Sequence, residues 1–460
     1  MSALWNSKEA EAATLGHASR AFEAGGMSID TRTLKAGDLF VALKGDARDG
    51  HDFVNAAFDA KASAALVSRN IEGAKGPLLH VAHVQRGLED LAVASRARSR
   101  AKIIAVTGSA GKTTTKEMLR LAFGALGSTH ASVASYNNHW GVPLSLASMS
   151  RETQFGVFEV GMNHFGELRN LVSFVRPHVA LVTTIAPAHL EFFGNCEAIA
   201  DAKSEIFEGL LPGGAALIPA DSEYAERLVA RAKQAGVTRV LTFGSKGTDA
   251  KLLGFHDFDG GMKVESEILG RRVDFRVGAP GAHIASNAVG ALLSVAALEG
   301  DMLNAAAAIS AFAALKGRGA RFKIIANGGT AEVIDESYNA NTASMRAALA
   351  LLGSAKARRR VAVLGDMLEM GADGPAHHAS LAKDIEDAKV DVVFVNGPQM
   401  KSLWDALPVS RRGSYGATSQ DIAAKVANET RDGDVVLVKG SNGSRMVTII
   451  DALKARGLAA

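Results

Sequence analysis

At 460 residues, with 47% hydrophobic and 22% charged residues, the chain can bury several sizeable cores, and its length predicts about two to four domains. A formal net charge of +3, without a dense Lys/Arg run interleaved with aromatics, excludes a nucleic-acid footprint, and Arg358-Arg359-Arg360 reads as a solvated connection. The single cysteine, Cys196, excludes an internal disulfide and fits a reducing compartment; Met1 to Gly16 carries Glu9, Glu11 and no continuous apolar run, so the expectation is a cytoplasmic protein without signal peptide or membrane insertion.

The pattern falls into three segments. Residues 1–84 hold short strand candidates at 39–43, 64–67 and 78–81, too little for a large sheet, and predict a small α/β module. Residues 85–320 open on a helical stretch at 85–100. Apolar strand runs at 103–106, 156–160, 179–185 and 215–218 then alternate with helical stretches, which predicts a parallel sheet. After Gly317-Arg318-Gly319-Ala320-Arg321 the pattern breaks, and residues 321–460 bring strands at 331–334, 361–364, 392–395 and 435–438. They predict a second doubly wound, Rossmann-like domain.

Between the run ending at Val106 and a helix-compatible stretch lies Thr107-Gly108-Ser109-Ala110-Gly111-Lys112-Thr113-Thr114-Thr115. Small residues let backbone N–H groups close around a polyphosphate, Lys112 adds a mobile positive charge, and the Thr113 hydroxyl can reach a Mg²⁺ ion at the helix N-terminus. The ligand this predicts is ATP or GTP. Only Ser109 and Ala110 separate Gly108 from Gly111, a spacing shorter than the common phosphate-loop form.

Polar residues stand at or just past the C-terminal ends of the strands: Glu159, His189, Asp335, Asp366, Asn396 and Lys439. Any one alone reads as a helix cap or turn residue, but open α/β sheets bind ligands at that edge, and the shared placement predicts an interdomain active site. Glu159 closes an apolar strand and needs a cation or strong donors; His189, in the loop after the next strand, could add an imidazole ligand. Lys203, by periodicity alone, reads as an exposed helix lysine. Asn137 and Asn138 can bind phosphate, metal-bound water or substrate, or simply form a turn. His283 and Asn287 share a helix face, and either could be a satisfied buried polar group. The run Asp335-Glu336-Ser337-Tyr338-Asn339-Ala340-Asn341 suits a ribose and a polar substrate.

Together these residues resemble the Mur ligase family of ATP-dependent amide-forming enzymes, over about 29–446. The resemblance rests on the shortened phosphate loop, Tyr136-Asn137-Asn138 with Gly141-Val142-Pro143-Leu144, Glu159 with Gly161-Met162-Asn163, the His189 loop, and Lys203 with Glu205. It continues through His283 with Asn287, Asp335 to Asn341, Gly365-Asp366-Met367-Leu368-Glu369-Met370-Gly371, and Lys439-Gly440-Ser441. At the N-terminus, Ile29-Asp30-Thr31-Arg32, Gly37 to Gly45 and Asp49-Gly50-His51 look like the family's UDP-sugar module. Tyr338 to Asn341, and the lack of an Asp-Asn-Pro-Arg loop, favour the branch that adds D-alanyl-D-alanine over the one that adds diaminopimelate or lysine or a folate ligase. Thr31, Thr342 and Asn442 stand where the family more often has serine, proline and arginine.

The resemblance implies an α/β protein of three domains: a small UDP-binding module, a central phosphate-loop ATPase domain and a C-terminal Rossmann-like domain. It implies use of ATP, two Mg²⁺ ions, UDP-N-acetylmuramoyl-tripeptide and D-alanyl-D-alanine; a monomer is expected because nothing in the sequence marks an exposed apolar interface. Thr113, Glu159, His189 and Lys203, the last carbamylated by CO₂, would hold metal. Asn287 would contact adenine, Asp335 the ribose, and a hinge arginine the γ-phosphate, with Arg321 first by its spacing to Asp335 and Arg318 second. Thr31, Arg32, Lys44, Asp49 and His51 would meet the UDP-sugar, Asn339 and Asn341 the peptide, and Lys439 would close over the nucleotide. Nucleotide hydrolysis indifferent to an amino acceptor would instead mark a phosphate-loop ATPase or switch.

Overall fold

The computed structural model describes residues 3–133, 135–258 and 261–459. The strand Lys102–Thr107 reads Lys-Ile-Ile-Ala-Val-Thr, and all but Lys102 are buried. Such a run, lacking polar alternation, belongs in a parallel sheet covered on both faces. Ile103 and Ala105 point into one core with the helices Val84–Arg98, Glu167–Val175 and Cys196–Ser204; Ile104 and Val106 point into another with Lys112–Gly124, Ala282–Ala297 and Met302–Ile309.

This strand lies between Phe155–Glu159 and Val179–Val182, parallel to both, with Glu159 opposite Val106 and Val182 opposite Thr107. Thr129–Ala131 extends the sheet on one side; Ala215–Pro219, Arg239–Gly244 and Ala250–Phe258 extend it on the other. The expectation of a parallel sheet is corrected at that far edge. Ala250–Phe258, Gly261–Ile268 and Arg271–Val277 form an antiparallel meander, making nine strands in all. In Gly261–Ile268, Met262, Val264, Ser266 and Ile268 face inward while Lys263 and Glu267 face solvent, the period-two pattern of a half-covered strand.

The N-terminal sheet has five strands in the order His17–Ala18, Leu78–His80, Ala64–Val67, Asp38–Val41 and Gly26–Ser28. Leu39, Val41, Leu66 and Leu79 share a continuous core with Leu88, Leu91 and Ala92 of the helix Val84–Arg98, so this helix serves both sheets. The third sheet has six strands, Ala320–Ala326, Gly329–Glu336, Asp434–Lys439, Arg359–Gly365, Val392–Asn396 and Arg412–Gly416, parallel except for its first. Among the described residues no helix is long and apolar enough to cross a membrane.

Candidate active site

The phosphate loop is held open by its own backbone bonds. Ser109 N–H donates to Thr184 O at 2.9 Å, the Ser109 hydroxyl donates to Ala186 O at 2.9 Å, and the Thr183 hydroxyl donates to Ala110 O at 2.5 Å. Gly108 and Gly111 have φ of 149° and 82°. A Cβ would stand 1.9 Å from Thr183 Oγ1 at Gly108 and 2.7 Å from Asn287 Nδ2 at Gly111, so both positions need glycine. Asn287, buried on the helix Ala282–Ala297, thus stands beside the loop at Gly111; His283 is exposed at the start of that helix. Thr107 is buried at the strand end and Thr114 lies within the first turn of the helix Lys112–Gly124. Lys112 Nζ donates to Gly108 O at 2.7 Å.

At the start of that helix the Thr113 hydroxyl donates to Glu159 Oε2 at 2.7 Å, and Asn137 Nδ2 donates to Glu159 Oε1 at 2.6 Å. The fully buried carboxylate therefore has a hydroxyl and an amide as its neutral partners, with Lys112 as the nearby charge. Lys112 in turn has its pKa lowered by desolvation, opposed by Glu159 and reinforced by Arg318. Asn138 takes the other path open to it: its Oδ1 accepts from Gly141 N–H at 2.9 Å and Trp140 N–H at 3.2 Å, a turn function that replaces substrate contact.

Lys203 overturns the exposed-helix reading. It ends the helix Cys196–Ser204 at 1% exposure, and burial, followed by the charge of Lys112, pushes its pKa well below the usual lysine value.

The C-terminal domain reaches this site at three points. Arg318 Nη2 donates to Ser135 Oγ at 2.9 Å, its guanidinium lies 3.8 Å from the centre of the Tyr338 ring, and Ser135 Oγ is 3.3 Å from Thr113 Oγ1. Arg321, the first choice by spacing, is instead in the strand Ala320–Ala326 and pairs with Glu332 at 3.2 Å on the neighbouring strand. Asn341 Nδ2 donates to Ser109 O at 3.2 Å while its Oδ1 caps the helix Thr342–Ser354. His189 Nδ1 is hydrogen-bonded to Glu369 Oε2. Among the described residues no cluster of three His, Cys, Asp or Glu groups forms, and His189 is thus not gathered with Glu159 and another such ligand.

Asp335 is buried, with Oδ2 accepting from Gly317 N–H at 3.1 Å and Oδ1 from Ser337 N–H at 3.2 Å, so it ties down the hinge. Lys439 is 2% exposed and donates to Asn339 O at 2.8 Å and Glu336 Oε2 at 3.2 Å, which holds the 335–341 loop and leaves Asn339 exposed.

In the N-terminal domain, Arg32 is exposed and pairs with Asp30 at 2.5 Å, beside a half-buried Thr31. Lys44 is exposed, and its backbone pairs with that of Asp49 in an isolated antiparallel bridge. His51 is buried, with Nδ1 2.6 Å from Asp49 Oδ1 and Nε2 accepting from Ser68 N–H at 3.0 Å, so both ring nitrogens are engaged within the domain. A Cβ on Gly45 would lie 3.3 Å from the Trp140 ring, and Gln85 Nε2 donates to His139 O at 2.8 Å. Gly45 of the N-terminal domain therefore lies against Trp140, close to the loop that carries Asn137. Ser135 and Glu369 were not singled out by sequence reasoning; Glu369 had a motif around it and Ser135 had none.

Three family models match: the Mur ligase catalytic domain over residues 23–110, the Mur ligase middle domain over 106–295, and the Mur ligase glutamate ligase domain over 320–442. The chain is 33% identical over 450 residues to the UDP-N-acetylmuramoyl-tripeptide–D-alanyl-D-alanine ligase of Rickettsia prowazekii, covering 97% of this chain and 99% of the relative. It is 33% identical over 435 residues to the Escherichia coli protein of that name, covering 94% of each. A crystal structure of MurF from Acinetobacter baumannii superposes with a TM-score of 0.85 at 28% identity, covering 98% of this chain and 99% of that one. The chain belongs to the Mur ligase family.

Proposed function

We propose that this ligase joins D-alanyl-D-alanine to UDP-N-acetylmuramoyl-tripeptide with conversion of ATP to ADP and phosphate. Relatives of that name aligned over nearly the whole chain support the substrates. The observation that carries the chemistry is the meeting of the phosphate loop, the Thr113–Glu159 pair and the hinge residue Arg318 at one sheet edge.

The donor carboxylate oxygen attacks the γ-phosphorus, the bond to the ADP oxygen breaks, and an acyl phosphate forms. The dipeptide amine then attacks the acyl carbon, phosphate leaves, and the amine gives up a proton. A carboxylate nearing a polyphosphate meets like charge, so the site must present fixed cations and dipoles. Lys112 and Arg318 supply two such charges, and loop N–H groups at the helix N-terminus supply dipoles. The Thr113 hydroxyl and Glu159 carboxylate are hard oxygen donors of the kind Mg²⁺ takes, and would hold such an ion. Bound there, Mg²⁺ neutralises charge on the reacting oxygens. His189 and a carbamate on Lys203 are assigned to a second ion. Desolvation favours the neutral amine, the form that adds CO₂, and a carbamate would convert a group that repels a cation into an anionic oxygen ligand. Asn341 and Arg318 keep the C-terminal domain against the loop, which excludes water from an intermediate that hydrolyses readily.

The test is phosphate release from ATP and Mg²⁺ with UDP-N-acetylmuramoyl-tripeptide, with and without D-alanyl-D-alanine, and mass analysis of the product. Dipeptide-stimulated release with formation of the pentapeptide is expected; release indifferent to both substrates overturns the reading.

A further inference from the structure

We propose that Glu369 is a positioning residue for His189: seated by the C-terminal domain, its carboxylate fixes the imidazole so that the ring's other nitrogen serves the metal site. The inference rests on the assignment of His189 to metal made above.

Glu369 stands in the loop after the strand Arg359–Gly365, and His189 in the loop after Val179–Val182, on different sheets. Their side chains are hydrogen-bonded through His189 Nδ1 and Glu369 Oε2, and the backbone is joined beside them, with Glu191 N–H donating to Glu369 O at 3.2 Å. Both residues hold left-handed conformations, φ 56° for His189 and 62° for Glu369, which non-glycine residues adopt at a cost unless the surroundings impose them. At Glu369 the surroundings are visible. Leu368 N–H donates to Ser441 Oγ at 3.0 Å, and Met367 N–H donates to the buried His378 Nε2 at 2.9 Å, so the loop is pinned to its own domain just before it turns toward His189. Gly371, at φ 65°, lies so close that a Cβ would be 3.5 Å from the Glu191 backbone.

A carboxylate on one ring nitrogen sets the tautomer and orientation of an imidazole and leaves the other nitrogen's lone pair outward, the arrangement that supports metal-bound histidines. The carboxylate here belongs to the domain that closes over the nucleotide. Seating of that domain and orientation of the ligand are therefore one event.

Mn²⁺ binding followed by electron paramagnetic resonance, in the full chain saturated with β,γ-methylene ATP, reads this without turnover. E369A is expected to weaken the weaker Mn²⁺ site about 10- to 100-fold, E369Q to fall between E369A and the parent, and E369A to add nothing once His189 is already alanine. Melting temperatures within a few degrees of the parent check that each variant folds, and E369Q preserves volume where E369A does not. If H189A weakens Mn²⁺ binding while E369A and E369Q leave it unchanged, the positioning role is overturned and the metal assignment stands. An equal effect of E369A with and without His189 likewise overturns it, since the carboxylate then acts by another route. If H189A itself leaves Mn²⁺ binding unchanged, both the assignment and this inference are overturned.

Discussion

Lys203 lies buried within the field of Lys112, so its amine loses hydration first and meets a like charge second, and both effects push its pKa well below the ordinary lysine value. A depressed pKa leaves more of the amine unprotonated at a given pH than in an ordinary lysine, and the unprotonated amine is the form that adds CO₂. K203A and K203R, neither of which can form the lysine carbamate, are expected to lose about 10²-fold or more in kcat. In CO₂-free buffer the parent should lose activity and regain it with bicarbonate, and ¹³C-bicarbonate should give a carbamate resonance absent from K203A. Full activity of K203R would rule out a carbamate role.

Arg318 and Arg321 separate cleanly. Arg318 follows Gly317 in the hinge turn, touches Ser135 and stacks on Tyr338; Arg321 is committed to Glu332 within a hairpin. R318A is expected to lower kcat about 10²-fold with a smaller change in KM for ATP, because the charge is needed most when phosphoryl transfer is under way. R321A should stay within about twofold, as exposed ion pairs contribute about 1 kcal/mol or less. Steady-state kinetics on the two variants decide it, and equal losses would contradict the assignment.

Asn341 has two functions in one side chain, a cap through Oδ1 and a loop contact through Nδ2. Serine preserves the first and not the second. N341S should therefore keep its melting temperature while KM for ATP rises several-fold, whereas N341A should also lose about 1 kcal/mol of stability with the cap. Unchanged KM in both variants, measured beside thermal melts, would reduce Asn341 to a cap alone.

The readable parts of the sequence were those where one local pattern has one physical outcome. The apolar run before Gly108 had to be a buried strand, and Gly108 and Gly111 had to be free of side chains where Thr183 and Asn287 crowd them. The meander over 250–277 was also legible, since Met262, Val264 and Ile268 alternate with charged residues, but the pattern was outweighed by the parallel strands before it. Arg318 and Arg321 could not be told apart by spacing, because the choice depends on where the hinge ends and the antiparallel ladder begins. Asn341 and His51 looked like ligand contacts, and only tertiary structure shows their atoms already engaged. Nothing local to Glu369 announces His189, a contact made 180 residues away.

His178 gives a pH test of the central sheet itself. Its Nδ1 accepts the N–H of Ile103 at 2.9 Å, on the strand that feeds the phosphate loop, and burial, then Arg96 and Lys102, pushes its pKa from 6.5 to about 4. The neutral ring is the form that can accept that bond. Between these two values the unfolded chain binds a proton that the folded chain refuses, so stability falls as pH falls from 6.5 toward 4 and this contribution levels off below. H178N keeps an acceptor for the Ile103 amide but does not titrate. Its melting temperature should lie below the parent's at about pH 7.5 and close on it, or pass it, by about pH 4.5, because the variant lacks this one source of acid sensitivity. Carboxylates that titrate in the same range are common to both proteins and cancel in the difference. Parallel melting curves across that range would mean that the ring takes up its proton in the fold as readily as in the unfolded chain, and would overturn the depressed pKa.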